Sequence, residues 1–187
     1  MTKDLTILVA HCDDEFLFMF PFLARAKKIV CLTSDINNPR RMWCKERKKG
    51  FKEVCDLVGA ESVCLDYSSR FYALENQGLA ELVKTVRHLL SESEIIATHN
   101  AWGEYGHWDH IFCNMVARMT DKPVVTTNIR VEADWYPVHC LYQGTHVDMV
   151  KNDMAFHEQC MGIYRKYGAM GWSYEPVKSA MVIEVTK

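Results

Sequence analysis

The apolar positions of this chain follow two alternating rhythms. Leu5 to Ala10 is a near-continuous apolar run rich in β-branched residues, the pattern of a central strand covered on both faces. From Asp14 to about Lys27 the spacing turns helical, with acids in the first turn and Pro21 inside, where it kinks the helix or ends it early. Lys28 to Thr33 reads as a second strand, and Ser34 to Pro39 as a loop by its turn residues. Arg40 to Val58 is helical and closed by Gly59; Ser62 to Tyr67 is a third strand. An irregular polar and aromatic stretch at 68–77 precedes a helix from Gly78 to Ser91, whose Leu79, Leu82, Val83, Val86, Leu89 and Leu90 share a stripe. Glu94 to Thr98 is a fourth strand, His110 to Met119 a helix, and Val124 to Asn128 a fifth strand. Residues 129–147 mix short strand-like pieces with aromatics, a last helix spans about Val150 to Lys166, and Val182 to Val185 reads as an edge strand.

Strands alternating with long helices predict an α/β, Rossmann-like fold: a mostly parallel sheet of about five strands sandwiched by helices. No repeat or linker divides the chain, so one domain over 1–187 is expected. In such sheets ligands bind beyond the carboxyl ends of the strands. His11 ends the first strand, and a Gly-rich stretch, Gly103 to His110, follows the fourth, so both fall on one edge.

Composition narrows the class. With 187 residues the chain can bury a real core, and a net charge of −2 argues against a surface built throughout for nucleic acid. Eight cysteines are scattered singly, several inside apolar runs, where Cys acts as a small buried hydrophobe. The longest apolar run, Phe16 to Ala24, is nine residues, about half of the ~20 that span a bilayer. The start shows no signal-peptide pattern. A reduced, cytoplasmic protein without a membrane partner is expected.

The chemistry concentrates in two stretches, His11-Cys12-Asp13-Asp14-Glu15 and Gly103-Glu104-Tyr105-Gly106-His107-Trp108-Asp109-His110. Catalytic zinc commonly takes three protein ligands and leaves a place for water. His11 and Asp14 are three apart across a strand-to-helix turn, and His107 and His110 are three apart near a helix start. That gives four candidates for three places, and spacing does not choose among them. Asp13 is a carboxylate beside the metal, suited to take a proton from the attacking water.

These two signatures resemble the PIG-L/LmbE-type N-deacetylases, zinc hydrolases that remove acetyl from N-acetylglucosamine-containing substrates. A weaker similarity extends over Val147-Asp148 and Lys151 through Gln159. The resemblance implies His11, Asp14 and His110 as metal ligands and Asp13 as general base, activating the water at the zinc for attack on an acetamide carbonyl. It implies that His107 stabilises the oxyanion or protonates the leaving amine, that Asp109 orients His107, and that Tyr105 hydrogen-bonds the oxyanion. Iron or cobalt fits the same ligand set. Glu15 is read as serving helix and loop structure.

The chain departs from that pattern in places. Cys12 and Trp108 stand where the family usually has proline; Cys12 is read as packing, with a soft extra ligand as the alternative. The family's Arg-x-x-Glu element aligns with Lys48 and Phe51, and its acid after the third strand with Ser69, so neither is kept. The chain is also short for the family, which suggests trimmed loops and a more open site. Arg40, Arg41, Lys45, Arg47, Lys48, Lys49 and Lys52 form a basic cluster, read first as a solvated helix face and second as attraction for an anionic substrate. Phe71, Tyr72, Trp102, Trp108, Trp135 and Tyr136 offer stacking faces; His99 sits at a strand end where it could line the site, while His88, His139 and His146 suggest no role.

The resulting expectation is a metal-dependent amide hydrolase acting on an N-acetylated sugar or sugar conjugate. The alternatives are another amide on the same site, from a thiol conjugate or a modified nucleoside or nucleotide, and a non-catalytic metal- or nucleic-acid-binding protein. A small N-acylated partner is expected, nucleic acid is not, and a homo-oligomer is left open.

Overall fold

The computed structural model describes residues 4–34, 43–68, 76–129, 145–169 and 176–185. Arg40, Arg41, Ser69, Phe71, Tyr72, Trp135, Tyr136, His139 and the side chain of His146 lie outside the described residues.

The first strand, β1, runs Leu5–His11 and is buried from Leu5 to Ala10, as its unbroken apolar run requires. The expected single helix after it is two short ones, α1 at Asp14–Leu17 and α2 at Phe20–Leu23. Pro21 sits in the first turn of α2, where a missing N–H does no harm. The chain is already extended at Ala26, where β2 (Ala26–Thr33) begins. Helix α3 occupies Trp43–Val58, β3 Glu61–Tyr67, α4 Asn76–Leu89 and β4 Ile95–Thr98. A single kinked turn, α5 at Gly103–Gly106, leads into α6 at Trp108–Arg118. Then follow β5 at Val124–Thr127, β6 at Thr145–Lys151, α7 at Met154–Lys166 and β7 at Ser179–Glu184.

The sheet order is β3-β2-β1-β4-β5-β7-β6. Its first five strands are parallel, as the alternating pattern predicts. The last two add an antiparallel pair, of which β7 matches the strand expected at Val182–Val185 and β6 is an additional one. However, β7 is not an edge strand: it lies between β5 and β6. The 145–151 strand was hidden because Thr-His-Val-Asp-Met-Val-Lys neither runs apolar nor alternates strictly.

Two hydrophobic layers flank the sheet. One joins Ile7, Val9, Ile29 and Cys31 to Phe51, Val54, Cys160 and Tyr164, and so seats α3 and α7. The other joins Leu8, Val30 and Leu32 to Leu82, Val86, Cys113 and Val116, seating α4 and α6. Chain order reverses between β1 and β4, one strand leading to β2 on its left and the other to β5 on its right. That reversal opens a crevice at their carboxyl ends. No helix among the described residues is long and apolar enough to cross a membrane.

Candidate functional site

The crevice between β1 and β4 gathers both signature stretches. His11 ends β1; Asp13 caps α1 in a left-handed conformation (φ 110°), and Asp14 opens the helix. That turn folds Asp14 back, so its Oδ2 accepts from the His11 backbone N–H at 2.8 Å. On the other side Gly103 (φ 67°) and Glu104 (φ 57°) put a left-handed kink after β4. This brings α6 in with His107 as its N-cap, accepting from the Asp109 N–H through Nδ1 at 3.2 Å. A Cβ on Gly103 would lie 3.0 Å from Ile111, so the glycine answers both the backbone twist and the tight approach of α6.

Three atoms converge. His11 Nδ1 is 3.2 Å from Asp14 Oδ2, His110 Nε2 is 3.4 Å from the same oxygen, and the two nitrogens are 3.3 Å apart. Zinc at about 2.0–2.1 Å from each of three tetrahedral ligands separates them by roughly 3.3–3.4 Å. The triangle therefore fits such an ion. Its outer partners fit as well. His110 gives its Nδ1–H to Glu104 Oε2 at 2.7 Å, and His11 gives its Nε2–H to Asp109 Oδ2 at 3.1 Å. Each carboxylate fixes the tautomer that points a nitrogen lone pair at the centre.

Two other triads lie close enough to hold an ion: His11, His107 and His110, and Asp14, His99 and His110. Hydrogen bonding argues against both. His107 Nδ1 already accepts the Asp109 N–H. His99 Nε2 lies 3.3 Å from Asp14 Oδ2 but also accepts the Ala10 N–H at 3.2 Å, while its Nδ1 donates to Glu104 at 2.9 Å. Burial lowers this ring, but the two carboxylates raise it to about 10, which favours a proton over an ion on it. His99 thus reaches the site as a buttress, its ring stacked on His110 with centroids 3.8 Å apart.

Two lone pairs facing one carboxylate oxygen call for a cation between them. Burial by itself lowers His11, but hydrogen bonds to Asp109 and Asp14 reverse this and raise it to about 9. A proton and a metal ion therefore compete for the same place. Burial would likewise raise Asp14 and Glu104. The neighbouring histidines prevail in both, holding Asp14 well below the usual carboxylate range and Glu104 at about 2.

Asp13 is 2% exposed, and burial raises its carboxyl to about 6 against the pull of the Arg47 guanidinium, with which it forms an ion pair. It is therefore not the free carboxylate that spacing suggests. Burial, with His11 and His110 beside it, lowers His107 to about 3, so the ring is neutral at physiological pH. Since Nδ1 accepts, the proton of the neutral ring is on Nε2. Its side chain is 32% exposed, against 13% for His11 and none for His110. The Tyr105 ring lies edge-on to His107 and His110, and burial keeps its hydroxyl protonated.

Three contacts differ from the sequence reading. Asp109 binds His11, its Oδ2 being 4.0 Å from His107 Nδ1. Arg47, placed with the surface cations, turns inward; Lys45, Lys49 and Lys52 are exposed as a solvated face, the last two pairing with Glu46 and Asp56, while Lys48 holds Asp66 at 2.7 Å. The signal for Arg47 was its place on the buried stripe of α3 with Phe51, Val54 and Val58. Glu104, fully buried and binding both His99 and His110, was passed over; an acid inside the same eight-residue signature was its signal. Glu15 is structural in its contacts, taking the Asp13 N–H at 2.8 Å and the Tyr164 hydroxyl at 2.7 Å. Cys12 turns its sulfur to Cys31, at 3.7 Å.

Comparison with known proteins gives the same frame. A family model described as PIG-L, GlcNAc-PI de-N-acetylase, matches residues 6–120, which include both signatures. Protein L374 of Acanthamoeba polyphaga mimivirus is 27% identical over 120 residues, covering 57% of this chain and 53% of its own length; the match thus spans about half of that relative. Among solved structures, N,N'-diacetylchitobiose deacetylase from Pyrococcus horikoshii superposes with a TM-score of 0.61 at 14% identity, over 88% of this chain and 70% of that one. GalB, the 4-carboxy-2-hydroxymuconate hydratase from Pseudomonas putida KT2440, superposes with a TM-score of 0.59 at 13% identity, over 99% of this chain and 97% of that one. At these identities the structural likeness is one of fold.

Proposed function

The chain belongs to the PIG-L, GlcNAc-PI de-N-acetylase, family, and from that premise we propose that it is a metal-dependent amide hydrolase that deacetylates an N-acetylated sugar or sugar conjugate. The observation that carries the reading is the triangle of His11 Nδ1, Asp14 Oδ2 and His110 Nε2, with edges of 3.2–3.4 Å, beside the buried carboxylate of Asp13. These three residues would hold the ion, zinc by the nitrogen and oxygen donor set. The ion supplies Lewis acidity, making water more acidic and the substrate carbonyl more electrophilic.

The chain's own groups divide the rest. Asp13, near 6, accepts the proton of the attacking water at physiological pH and can return it to the departing amine. Arg47 fixes the orientation of that carboxylate. His107, neutral with its proton on Nε2, suits a hydrogen-bond donor to the oxyanion better than a general acid. Tyr105, kept protonated, is a second donor. Asp109 and Glu104 hold His11 and His110 in orientation.

Because a hydratase shares the fold, the test must read the bond broken. Acetate release from a panel of N-acetylglucosamine conjugates is expected, abolished by chelator and restored by zinc. Asp13→Asn should retain zinc and lower kcat by about 10²–10⁴. Turnover near that of the unmodified protein in Asp13→Asn with zinc bound would sink the base assignment; no acetate from any N-acetyl substrate would sink the deacetylase reading.

A further inference from the structure

Beside the His–Asp centre, three thiols meet. Cys12 on the turn after β1, Cys31 on β2 and Cys64 on β3 place their Sγ atoms within 4.8 Å of one another. The cause is register: Cys31 lies opposite Cys64 across one strand pair and Val9 across the other, so the three side chains converge in the layer beneath α3 and α7. All three are free cysteines, two buried and Cys64 half-buried. Cys12 and Cys31 are 3.7 Å apart, far beyond the ~2.05 Å of a disulfide. Sulfurs at about 2.3 Å from one ion are separated by roughly 3.8–4.0 Å, which is the scale of this cluster. At the exposed side, Asp66 stands in left-handed backbone (φ 59°) with Oδ1 3.4 Å from Cys64 Sγ. Its carboxylate is held by Lys48 Nζ and the Ser34 hydroxyl, each at 2.7 Å. A cation thus stands next to the thiols on the side open to solvent.

We propose that Cys12, Cys31 and Cys64 form a second metal site, a three-thiolate site for a soft d¹⁰ cation, separate from the His–Asp centre. Sulfur ligands select such ions over the hard cations that oxygen sites take. Binding moves three thiol protons to solvent and forms three metal–sulfur bonds, with no change of oxidation state. Lys48, paired with Asp66, offsets part of the added negative charge. Since Cys12 lies between His11 and Asp13, occupancy of this site anchors the turn that carries the catalytic carboxylate.

The test uses the full chain, reduced and without oxygen, titrated with cadmium ion while the ultraviolet cadmium–thiolate charge-transfer absorption is followed. One equivalent of strong absorption is expected. It should persist in His110→Ala, which disables the other centre, and in Cys160→Ser. Cys31→Ala and Cys64→Ala should each lose it, with affinity falling by more than the ~10–100-fold that loss of an outer partner produces. Cys64 is half-buried, so its substitution reports even if Cys31→Ala does not fold. Absence of the absorption, its survival in both cysteine variants, or its loss in His110→Ala would each overturn the proposal. The first two results mean thiols that merely pack, and the third a thiol serving the His–Asp ion.

Discussion

Glu104→Gln probes whether one buried carboxylate sets the orientation of His110, the histidine proposed to hold the metal. Oε2 of Glu104 accepts from His99 at 2.9 Å and His110 at 2.7 Å, and Oε1 accepts from the Asn100 N–H at 3.1 Å. An amide offers one acceptor oxygen. If that oxygen faces the histidines, the amide nitrogen meets the Asn100 N–H, donor against donor; reversed, both imidazole N–H groups meet a donor. The first arrangement is the milder. It leaves one buried N–H unpaired, about 1–3 kcal/mol, and turns two charge-assisted bonds into neutral ones of about half the strength, roughly 1 kcal/mol each. The sum is about 3–5 kcal/mol, or a fall in Tm on the order of 10 °C for a chain of this length. Zinc affinity should drop about 10–100-fold, because the charged partner that fixes His110 becomes a weaker, neutral acceptor. Thermal unfolding and zinc titration against a competing chelator measure the two effects separately. A variant with unchanged Tm and zinc affinity within twofold of the unmodified protein would refute the orienting role of Glu104.

Other outcomes follow from the same contacts. Zinc should displace the His11 proton, so binding near neutral pH releases about one proton and affinity rises about tenfold per unit up to about pH 9, then levels; calorimetry in buffers of different ionisation enthalpy would show no such release if His11 were already neutral. Burial raises Glu15 to about 8 from an ordinary 4.5. The folded chain then holds more protons than the unfolded one across that window, so this carboxyl's contribution to stability is intact below pH 4.5 and is lost as pH rises to about 8. Glu15→Gln should therefore flatten that decline by on the order of a few kcal/mol, and denaturant titrations at pH 5 and pH 8 with equal slopes for both proteins would contradict it. A Cβ on Gly50 would sit 2.7 Å from the Tyr164 ring. Gly50→Ala should cost about 1–3 kcal/mol by overpacking and disturb the 2.7 Å bond from Tyr164 to Glu15; an unchanged Tm would show that the ring moves aside freely.

Much of this molecule was legible in one dimension. The inner parallel strands announce themselves because a strand covered on both faces must be apolar throughout, and that leaves an unbroken run such as Leu5 to Ala10. Strand–helix alternation then puts both signature stretches at one edge, since parallel strands end on the same side. Of the antiparallel pair only β7 showed: β6 neither runs apolar nor alternates strictly, and its partnership with β7, from Lys151–Ser179 to Thr145–Glu184, is long-range. The break at Phe18–Met19, by contrast, was legible: Pro21, expected to kink the helix or end it early, cannot bond back to Leu17 and instead takes the first turn of α2.

At the site the division is sharper. Residue types and spacing were enough to nominate four candidate ligands, His11, Asp14, His107 and His110, because that donor chemistry has few other uses in such short stretches; the family resemblance, not spacing, singled out three of them. Types and spacing could not say which nitrogen turns its lone pair to the centre of the site, since a tautomer is chosen by the partner of the other nitrogen. Those partners, Asp109 for His11 and Glu104 for His110, are set by the left-handed kink at Gly103–Glu104 and the entry angle of α6. Arg47 reads as one more surface cation until α3 is docked with that face against Asp13. The three thiols, spread over more than fifty positions, become neighbours only through strand register. Local pattern carries periodicity and chemistry; the tertiary structure alone decides which polar atoms share a point, because hydrogen bonds and ligand sets depend on distances of a few ångströms that no spacing along the chain encodes.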